Sequence, residues 1–191
     1  MNIDSPATQI EGPDIVSCSG CSELVESRTR IVNGTGPESA DVLFVGEAPG
    51  ANEDEQGEPF VGRSGKILDE TLESVGMPRN EVRITNIVRC RPPENRDPHK
   101  AEIKNCLPHL DNEIDHIDPN VIVPLGAIPA KTIIADEIDK ITEAAGMKYR
   151  TEFGRDQTIA IASVHPAATI YNRDLRPKFE KTLEEVANYT D

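Results

Sequence analysis

One stretch of the chain, residues 42–68, constrains the fold more than any other. It begins with a short apolar run, VLFV, whose length and flanking turn residues are typical of a buried strand in a parallel sheet. The segment GEAPG at 46–50 follows, and its small or rigid residues allow a sharp turn that brings main-chain N–H groups close to a ligand. Ser64 is a candidate N-cap for a helix whose apolar stripe ends at Gly76. The stretch therefore predicts a strand, a glycine-rich loop and a helix.

This loop excludes two familiar phosphate-binding motifs. A P-loop requires a glycine five residues before its Gly-Lys pair and a hydroxyl residue after the pair, but Phe60 and Ile67 stand at those positions. The chain contains no G-x-G-x-x-G sequence either. One aromatic residue, Phe60, and one acid at a strand end, Glu47, remain. Judged from the loop alone, Phe60 is better explained as a core residue and Glu47 as a solvated loop acid than as parts of a binding site.

Three further apolar runs, at 82–88, 120–125 and 158–164, predict strands that alternate with helices. Asp97 is a candidate cap for the helix after the second strand, another helix starts at 127, and the last covers roughly 177–189. The segment 136–157 is acidic and rich in turn residues, and it is predicted to form a hairpin or loop. This alternation predicts a three-layer α/β/α fold around a four-stranded parallel sheet.

The size and composition of the chain suit one domain with a real core. It has 191 residues, 37% of them hydrophobic, and a mean hydropathy of -0.45. Residues 1–17 are polar and lack periodicity, so we expect a tail that is disordered in part, followed by a single domain over 18–191. The longest nearly apolar run, 121–130, is too short to span a bilayer, and the N-terminus lacks a signal region. We expect a cytoplasmic protein.

Acidic residues outnumber basic ones by 34 to 20, which gives a formal net charge of -14. This charge argues at first sight against a polyanionic partner. Acids on nearly every predicted helix are also typical of proteins from salt-rich cytoplasm, where fields are screened within about 3 Å at 1 M ionic strength. We offer a halophilic origin as a hypothesis. It predicts that stability and activity persist or rise in molar KCl, and a loss of both would contradict it.

Four cysteines, Cys18, Cys21, Cys90 and Cys106, form one C-x2-C pair and two separate positions. In a cytosolic protein this pattern favours a metal site over disulfides. A thioredoxin-like dithiol would require a preceding strand, and none is predicted before Cys18. Structural zinc usually shows two close pairs, whereas an iron-sulfur cluster accepts thiolates at varied spacing. Composition alone leaves zinc and a cluster open.

Polar or flexible residues follow three of the predicted parallel strands. The segment 46–50 follows the first strand, Asn86 lies at the end of the second, and His165 follows the fourth. Open α/β folds place their ligand crevice beyond the carboxyl ends of their strands. Asn86 and His165 each have a structural explanation alone, but their common edge predicts a site.

Four motifs in order resemble those of the family-4 uracil-DNA glycosylases, the iron-sulfur branch of that superfamily. They are GEAPG (46–50), D-x-x-G-x-P-F-V-G-x-S-G (54–65), TNIVRCRPPENRDP (85–98) and HPA (165–167). The resemblance extends from Cys18 to the final helix, about nine-tenths of the chain. It implies the four-stranded α/β/α fold, excision of uracil from DNA, and a 4Fe-4S cluster on the four cysteines.

The resemblance also implies roles for individual residues. Gly46, Glu47 and Ala48 would line the base pocket, Phe60 would stack on a flipped uracil, and Asn86 would read its pyrimidine edge. His165 would face uracil O2, where negative charge develops during bond cleavage. The resemblance thus implies three catalytic residues: Glu47, Asn86 and His165.

This chain departs from related sequences at two places. Ala48 stands where family-1 enzymes carry their general-base Asp, so Glu47 either positions water and supports the sugar cation, which we favour slightly, or shapes the pocket against the thymine methyl. Family members often carry an Arg six residues after the histidine that corresponds to His165, where this chain has Tyr171. Either Tyr171 or Arg173 would enter the space left by the flipped base or contact the neighbouring phosphate. Candidate DNA contacts are Arg63, Ser64, Arg89, Arg91, Arg96, Tyr171 and Arg173.

Two alternatives stay open at this point. One is a non-catalytic or differently specific DNA-binding relative of the same fold, and the other is a zinc-stapled domain that binds protein. We expect uracil-containing DNA as the partner and a monomeric chain. Nothing in the sequence supports a sliding-clamp partner.

Overall fold

The computed structural model of the chain describes residues 8–134, 138–155 and 157–190. Within them lie seven strands: β1 (Thr8–Glu11), β2 (Asp14–Cys18), β3 (Val42–Gly46), β4 (Arg83–Asn86), β5 (Val121–Pro124), β6 (Lys148–Arg150) and β7 (Ile159–Ile161). The α-helices there are α1 (Ser22–Ser27), α2 (Ala51–Gln56), α3 (Arg63–Ser74), α4 (Lys100–Ile117), α5 (Ala127–Ile134), α6 (Ile141–Ala144), α7 (Ala168–Tyr171) and α8 (Arg176–Ala187). No described helix is long and apolar enough to cross a membrane.

The central sheet has the strand order β4-β3-β5-β7-β6. Its first four strands run parallel, and Gly46 of β3 is in register with Asn86 of β4. The predicted three-layer α/β/α fold is confirmed, but the predicted count of four strands is wrong. β6 adds a fifth strand, antiparallel to β7, within the segment expected to form a hairpin or loop. Its three residues are too few and too exposed to show a strand pattern.

Alternate residues of β3 point to opposite faces of the sheet and anchor a core on each side. Phe44 packs with residues of α3 and α8, including Leu68 and Phe179. Leu43 on the other face packs with residues of α4, including Leu110. All five strand residues of β3 are buried, as expected for a central strand covered by helices on both sides.

An N-terminal hairpin of β1 and β2 occupies the described part of the segment in which the sequence predicted a partly disordered tail. Ile15 is buried, and its main chain exchanges two hydrogen bonds with the Asn33 side chain. A hairpin this short has little periodicity, so its order depends on contacts with a distant part of the chain. The part of the expected tail in residues 1–7 lies outside the described residues.

Two predicted helix caps are wrong, and four short helices in the described part of the chain were not predicted: α1, α2, α6 and α7. Gly62, rather than Ser64, is the N-cap of α3. His99 replaces Asp97 as the N-cap of α4, where Glu102 completes a capping box. Helix α2 lies in the stretch expected to be loop, because its six polar and acidic residues carry no apolar stripe. It places Glu53 beside the strand ends.

Candidate active site

A cavity of about 150 Å³ opens at the carboxyl edge of the parallel strands. Its lining comes from the loop after β3, from α2 and α3, from the end of β4 and from the segment after β7. The lining residues are Ala48, Gly50, Glu53, Phe60, Ser64, Asn86 and His165. Asn86 ends β4 and His165 follows β7, and these two strands are separated in the sheet by β3 and β5. The cavity therefore extends across the ends of four strands.

Gly46 lets the aromatic and amide side chains approach each other at the floor of this site. A Cβ at Gly46 would lie 2.3 Å from Asn86 Oδ1 and 2.6 Å from Phe60 Cε2, far inside van der Waals contact. Any other residue would therefore push Phe60 or Asn86 out of place. The close approach explains a glycine at the end of a strand that is otherwise apolar.

Phe60 is held in a left-handed backbone conformation, with φ of 55°, which is uncommon for a bulky residue. The Arg79 guanidinium donates to the carbonyl oxygens of Phe60 and Pro59 and pairs with Asp69 at 2.8 Å. The backbone at Gly65 leaves no room for a Cβ, which would lie 1.8 Å from the Phe60 carbonyl oxygen. Persisting strain of this kind is a feature of ligand sites.

His165 faces the Phe60 ring, with 5.6 Å between the ring centroids and 28° between the planes. The Ala167 N–H donates to His165 Nδ1 at 3.1 Å, so a neutral ring carries its proton on Nε2. Burial lowers the pKa of His165 to about 4, and the nearby charge of Glu53 opposes this shift only partly. His165 is therefore a neutral hydrogen-bond donor at physiological pH.

Two glutamates near the strand ends have different surroundings. Burial raises the pKa of Glu47 to about 7, and a hydrogen bond with the acidic side chain of Asp97 adds to the shift. Glu47 is absent from the residues that line the cavity, whereas Glu53 is among them. Glu53 Oε1 accepts hydrogen bonds from the N–H groups of Val61 and Gly62, both at 3.1 Å.

The four cysteines are free thiols. Cys21, Cys90 and Cys106 pack in the core on the α4 side of the sheet, and Cys18 lies beside His109 of α4. Arg28 joins two of their segments, because it donates to Cys90 Sγ at 2.9 Å and to the Cys18 carbonyl oxygen at 2.6 Å. A hydrogen bond with His109 lowers the pKa of Cys18 to about 7. Burial raises the pKa of Cys106 to about 12, although the charge of Arg89 opposes the shift.

Arg89 belongs to a buried ion triad next to these cysteines, and the prediction that it contacts phosphate is wrong. Its Nη2 lies 2.6 Å from Glu113 Oε2, and Arg83 Nε lies 2.8 Å from Glu113 Oε1. The Nε and Nη1 atoms of Arg89 are buried without a hydrogen-bond partner in the described part of the chain. At the edge of this group, the half-exposed Asp14 carboxylate lies 3.6 Å from Arg83 Nη2.

Comparisons with known proteins agree with this arrangement. The family model of the uracil DNA glycosylase superfamily matches residues 33–188. The chain is 43% identical to a type-4 uracil-DNA glycosylase of Archaeoglobus fulgidus, over 91% of this chain and 88% of that protein. It is 41% identical to one of Sulfurisphaera tokodaii, over 91% and 80%, and 37% identical to one of Thermotoga maritima, over 95% and 93%. The chain belongs to the type-4 uracil-DNA glycosylase family.

Some candidate DNA contacts of this type-4 family member are already paired with other side chains, whereas others are exposed to solvent. Arg96 pairs with Glu23 and Glu102, so its charge is already neutralised within the protein. Arg91 donates to the Asn95 side chain at 2.7 Å. Arg63 and Arg173 are exposed, Ser64 lines the cavity, and Tyr171 is 89% exposed at the end of α7.

Glu53 lines the cavity but was not among the site residues predicted from the sequence. The only signal for it was its place directly before Asp54 in the second motif. Asp54 itself is buried and accepts hydrogen bonds from the N–H groups of Thr29 and Arg30, which is a structural role. Neighbouring acids in one short helix therefore serve different purposes, which their spacing alone did not reveal.

Proposed function

We propose that this chain flips uracil out of DNA and hydrolyses its N-glycosidic bond, leaving an abasic site. Membership of the type-4 family supports this activity. The observation that carries the residue assignments is that Phe60, Asn86 and His165 line one cavity at the strand ends. A base inside a duplex is unreachable, so the target must be extruded into such a pocket.

Recognition of the base would depend on Phe60 and Asn86. The Phe60 ring offers an apolar face on which a flipped pyrimidine stacks. The Asn86 amide has both a donor and an acceptor, and these match the O4 and N3–H groups of uracil. The main chain of Gly46 and Ala48 completes the pocket, where the lack of a side chain at Gly46 keeps the cavity open.

Bond cleavage would depend on His165. The C1′–N1 bond breaks and its electron pair leaves with uracil, so negative charge develops on O2. The Nε2–H of neutral His165 would donate a hydrogen bond to that oxygen and stabilise the charge. The sugar becomes cationic, and a water oxygen adds to C1′ and releases a proton. Glu47 stays a predicted catalytic residue, which Glu47→Ala tests by comparing single-turnover excision with DNA binding.

We propose that Cys18, Cys21, Cys90 and Cys106 hold a 4Fe-4S cluster. One zinc ion with bonds of about 2.3 Å would bring its thiolates within about 4 Å of one another. Among the described residues, a group of three or more candidate ligand atoms within 4.8 Å of one another occurs only at Glu23, His99 and Glu102, so no three of the four sulfurs lie that close together. That spacing suits a cluster, in which each thiolate binds a separate iron.

A bound cluster supplies one-electron redox chemistry, but the proposed hydrolysis requires none. The cysteines come from the N-terminal segment, from the loop after β4 and from α4. We therefore assign them the role of bracing these segments. Arg28 would donate to the Cys90 thiolate, and Arg89 would offset part of the negative charge of four thiolates.

The chain would act as a monomer that contacts DNA around the cavity mouth. Tyr171 projects into solvent six residues after His165 and suits the space left by a flipped base. Arg63, Ser64, Arg91 and Arg173 are the candidates for phosphate contact. With a net charge of -14, affinity would depend on these local contacts rather than on a basic field.

The test is excision from a labelled oligonucleotide with one uracil, in single- and double-stranded form and in high KCl. We expect strand breakage at the uracil after alkali and none at thymine in a matched oligonucleotide. Binding to the uracil oligonucleotide without breakage would leave only a DNA-binding relative. A brown protein with broad visible absorbance is expected, and a colourless zinc protein would contradict the cluster.

A further inference from the structure

The pocket needs a carboxylate near the sugar, and the motif alone does not supply it. Hydrolysis creates a cationic sugar and requires a water whose proton is removed as it attacks. Ala48, which lines the cavity, has no ionisable group. Glu47 is turned toward Asp97, and a pKa of about 7 leaves it protonated about half the time at neutral pH. Another acid is better placed for this task.

We propose that Glu53 supplies the catalytic carboxylate of this site. The proposal rests on the proposed function and names a residue for its least defined step. Glu53 lies on α2 and lines the same cavity as Phe60, Asn86 and His165. Its hydrogen-bond partners distinguish it from Glu47, because they are main-chain N–H groups rather than the acidic side chain of Asp97.

The two oxygens of the Glu53 carboxylate have different surroundings. Oε1 accepts the N–H groups of Val61 and Gly62, which fixes the side chain against the loop that carries Phe60. Oε2 lies on the side of Gly50, where a Cβ would approach it to 2.8 Å. Both Gly50 and Glu53 line the cavity, and on this proposal the second oxygen is the one that meets substrate. The carboxylate is thus oriented by one oxygen and available through the other.

The charges around the cavity are arranged as the transition state requires. His165 provides a neutral donor for the leaving uracil, while Glu53 provides an anion close enough to influence the His165 ring. Electrostatic catalysis requires opposite charges to be placed where the sugar cation and the uracil anion develop. Glu53 would stabilise the sugar cation and accept a hydrogen bond from the attacking water. As the C1′–O bond forms, the proton of that water passes to the carboxylate.

The test compares Glu53→Gln with Glu53→Ala in single-turnover excision by the cluster-loaded enzyme. A glutamine oxygen still accepts the two N–H groups but carries no charge, whereas alanine loses both functions. If the charge acts in catalysis, both variants should lose about 100-fold in rate or more, with half-saturating enzyme concentration within about threefold of the parent. A purely structural role would leave Glu53→Gln near the parental rate and impair only Glu53→Ala.

The matched control is Glu55→Gln, which makes the same charge change at an exposed position of the same helix. It should keep the parental rate, thermal stability and visible absorbance. Glu47→Gln completes the set and should lose less of the excision rate than Glu53→Gln does. The proposal would be overturned if Glu53→Gln kept the parental excision rate, or if Glu47→Gln lost more rate than Glu53→Gln. It would also be overturned if Glu53→Gln changed only the half-saturating enzyme concentration and not the rate. If the parental chain does not excise uracil, the proposed function itself fails.

Discussion

The base pocket and the cysteine site differ in the charge of the side chains around them. In the pocket, burial keeps His165 neutral, and burial together with Asp97 favours the protonated form of Glu47. Around the cysteines, the structure gathers positive groups instead, with Arg28 on Cys90 and Arg89 beside Cys106. The pocket is suited to a neutral base, and the cysteine site is suited to a negatively charged metal centre.

This difference extends to the way the two regions are held. The pocket depends on backbone details, including the absent side chain of Gly46 and the left-handed Phe60. The cysteine site depends on side-chain contacts between segments that lie far apart in sequence. Damage to the first region should mainly reduce catalysis, and damage to the second should mainly reduce stability. Four variants test this division.

The largest effect is expected from Cys90→Ser, which removes a proposed cluster ligand. The free energy of unfolding should fall by about 4 kcal/mol or more, because three segments lose their common anchor. Visible absorbance and thermal unfolding measure the two consequences. A variant that keeps both the colour and the stability of the parent would remove Cys90 from the ligand set.

Glu113→Gln should cost about 3 kcal/mol of stability, since it leaves the buried Arg89 without its ion-pair partner and Arg83 with only the half-exposed Asp14 at 3.6 Å. Burial alone would raise the pKa of Glu113, but Arg89 and Arg83 hold it below the usual value. The contribution of Glu113 is therefore present above pH 4.5 and is lost as the pH falls through the folded-state pKa. Denaturant unfolding at neutral pH measures the change, with exposed Asp115→Asn on the same helix as control. Equal stability of the two variants would contradict a structural triad.

His165→Ala should lower single-turnover excision by about 100- to 1,000-fold, as expected when one donor to a developing anion is removed. Thermal stability should stay close to that of the parent, because the ring lines the cavity and its hydrogen bond, from the Ala167 N–H, is a local one. Excision rate and unfolding temperature, measured on the same preparation, separate the two effects. A large loss of stability would show that His165 has a structural role rather than a catalytic one.

The smallest effect is expected from Glu47→Gln, and it should change stability in the opposite direction. The folded state holds the Glu47 proton up to about pH 7, while the unfolded chain releases it near pH 4.5. Stability of the parent therefore falls as the pH rises through this window, and glutamine removes that fall. We expect a gain of roughly 1 kcal/mol at pH 8 after discounting for partial exposure, with little change below pH 4.5. Unfolding temperatures at pH 4 and pH 8 provide the comparison, and equal shifts at both would contradict the assignment.

Local patterns predicted most of the fold because they report on burial. The four parallel strands are short apolar runs, and a strand covered on both faces needs little else to be recognised. β6 was missed because an exposed edge strand of three residues has no such pattern. Helix α2 was missed for a similar reason, and with it the position of Glu53.

The candidate site was predicted in part because its residues follow strand ends. Asn86 and His165 line one cavity with Phe60, as the common edge implied. Arg89 shows the limit of this reasoning. Arg89 and Arg91 flank Cys90 and look equivalent in sequence, yet one is buried against Glu113 and the other is half-buried beside Asn95. Their difference depends on residues elsewhere in the chain.

The sequence by itself determined which residues end the parallel strands, that four thiols are available, and which family the motifs resemble. Only the tertiary structure decided that Glu53 enters the pocket, that Glu47 meets Asp97 and that Arg89 is buried. The physical reason is that strand formation and turn chemistry depend on near neighbours, whereas burial and charge pairing depend on side chains brought together by folding. The roles of acids and bases are therefore the part of this protein that its sequence left open.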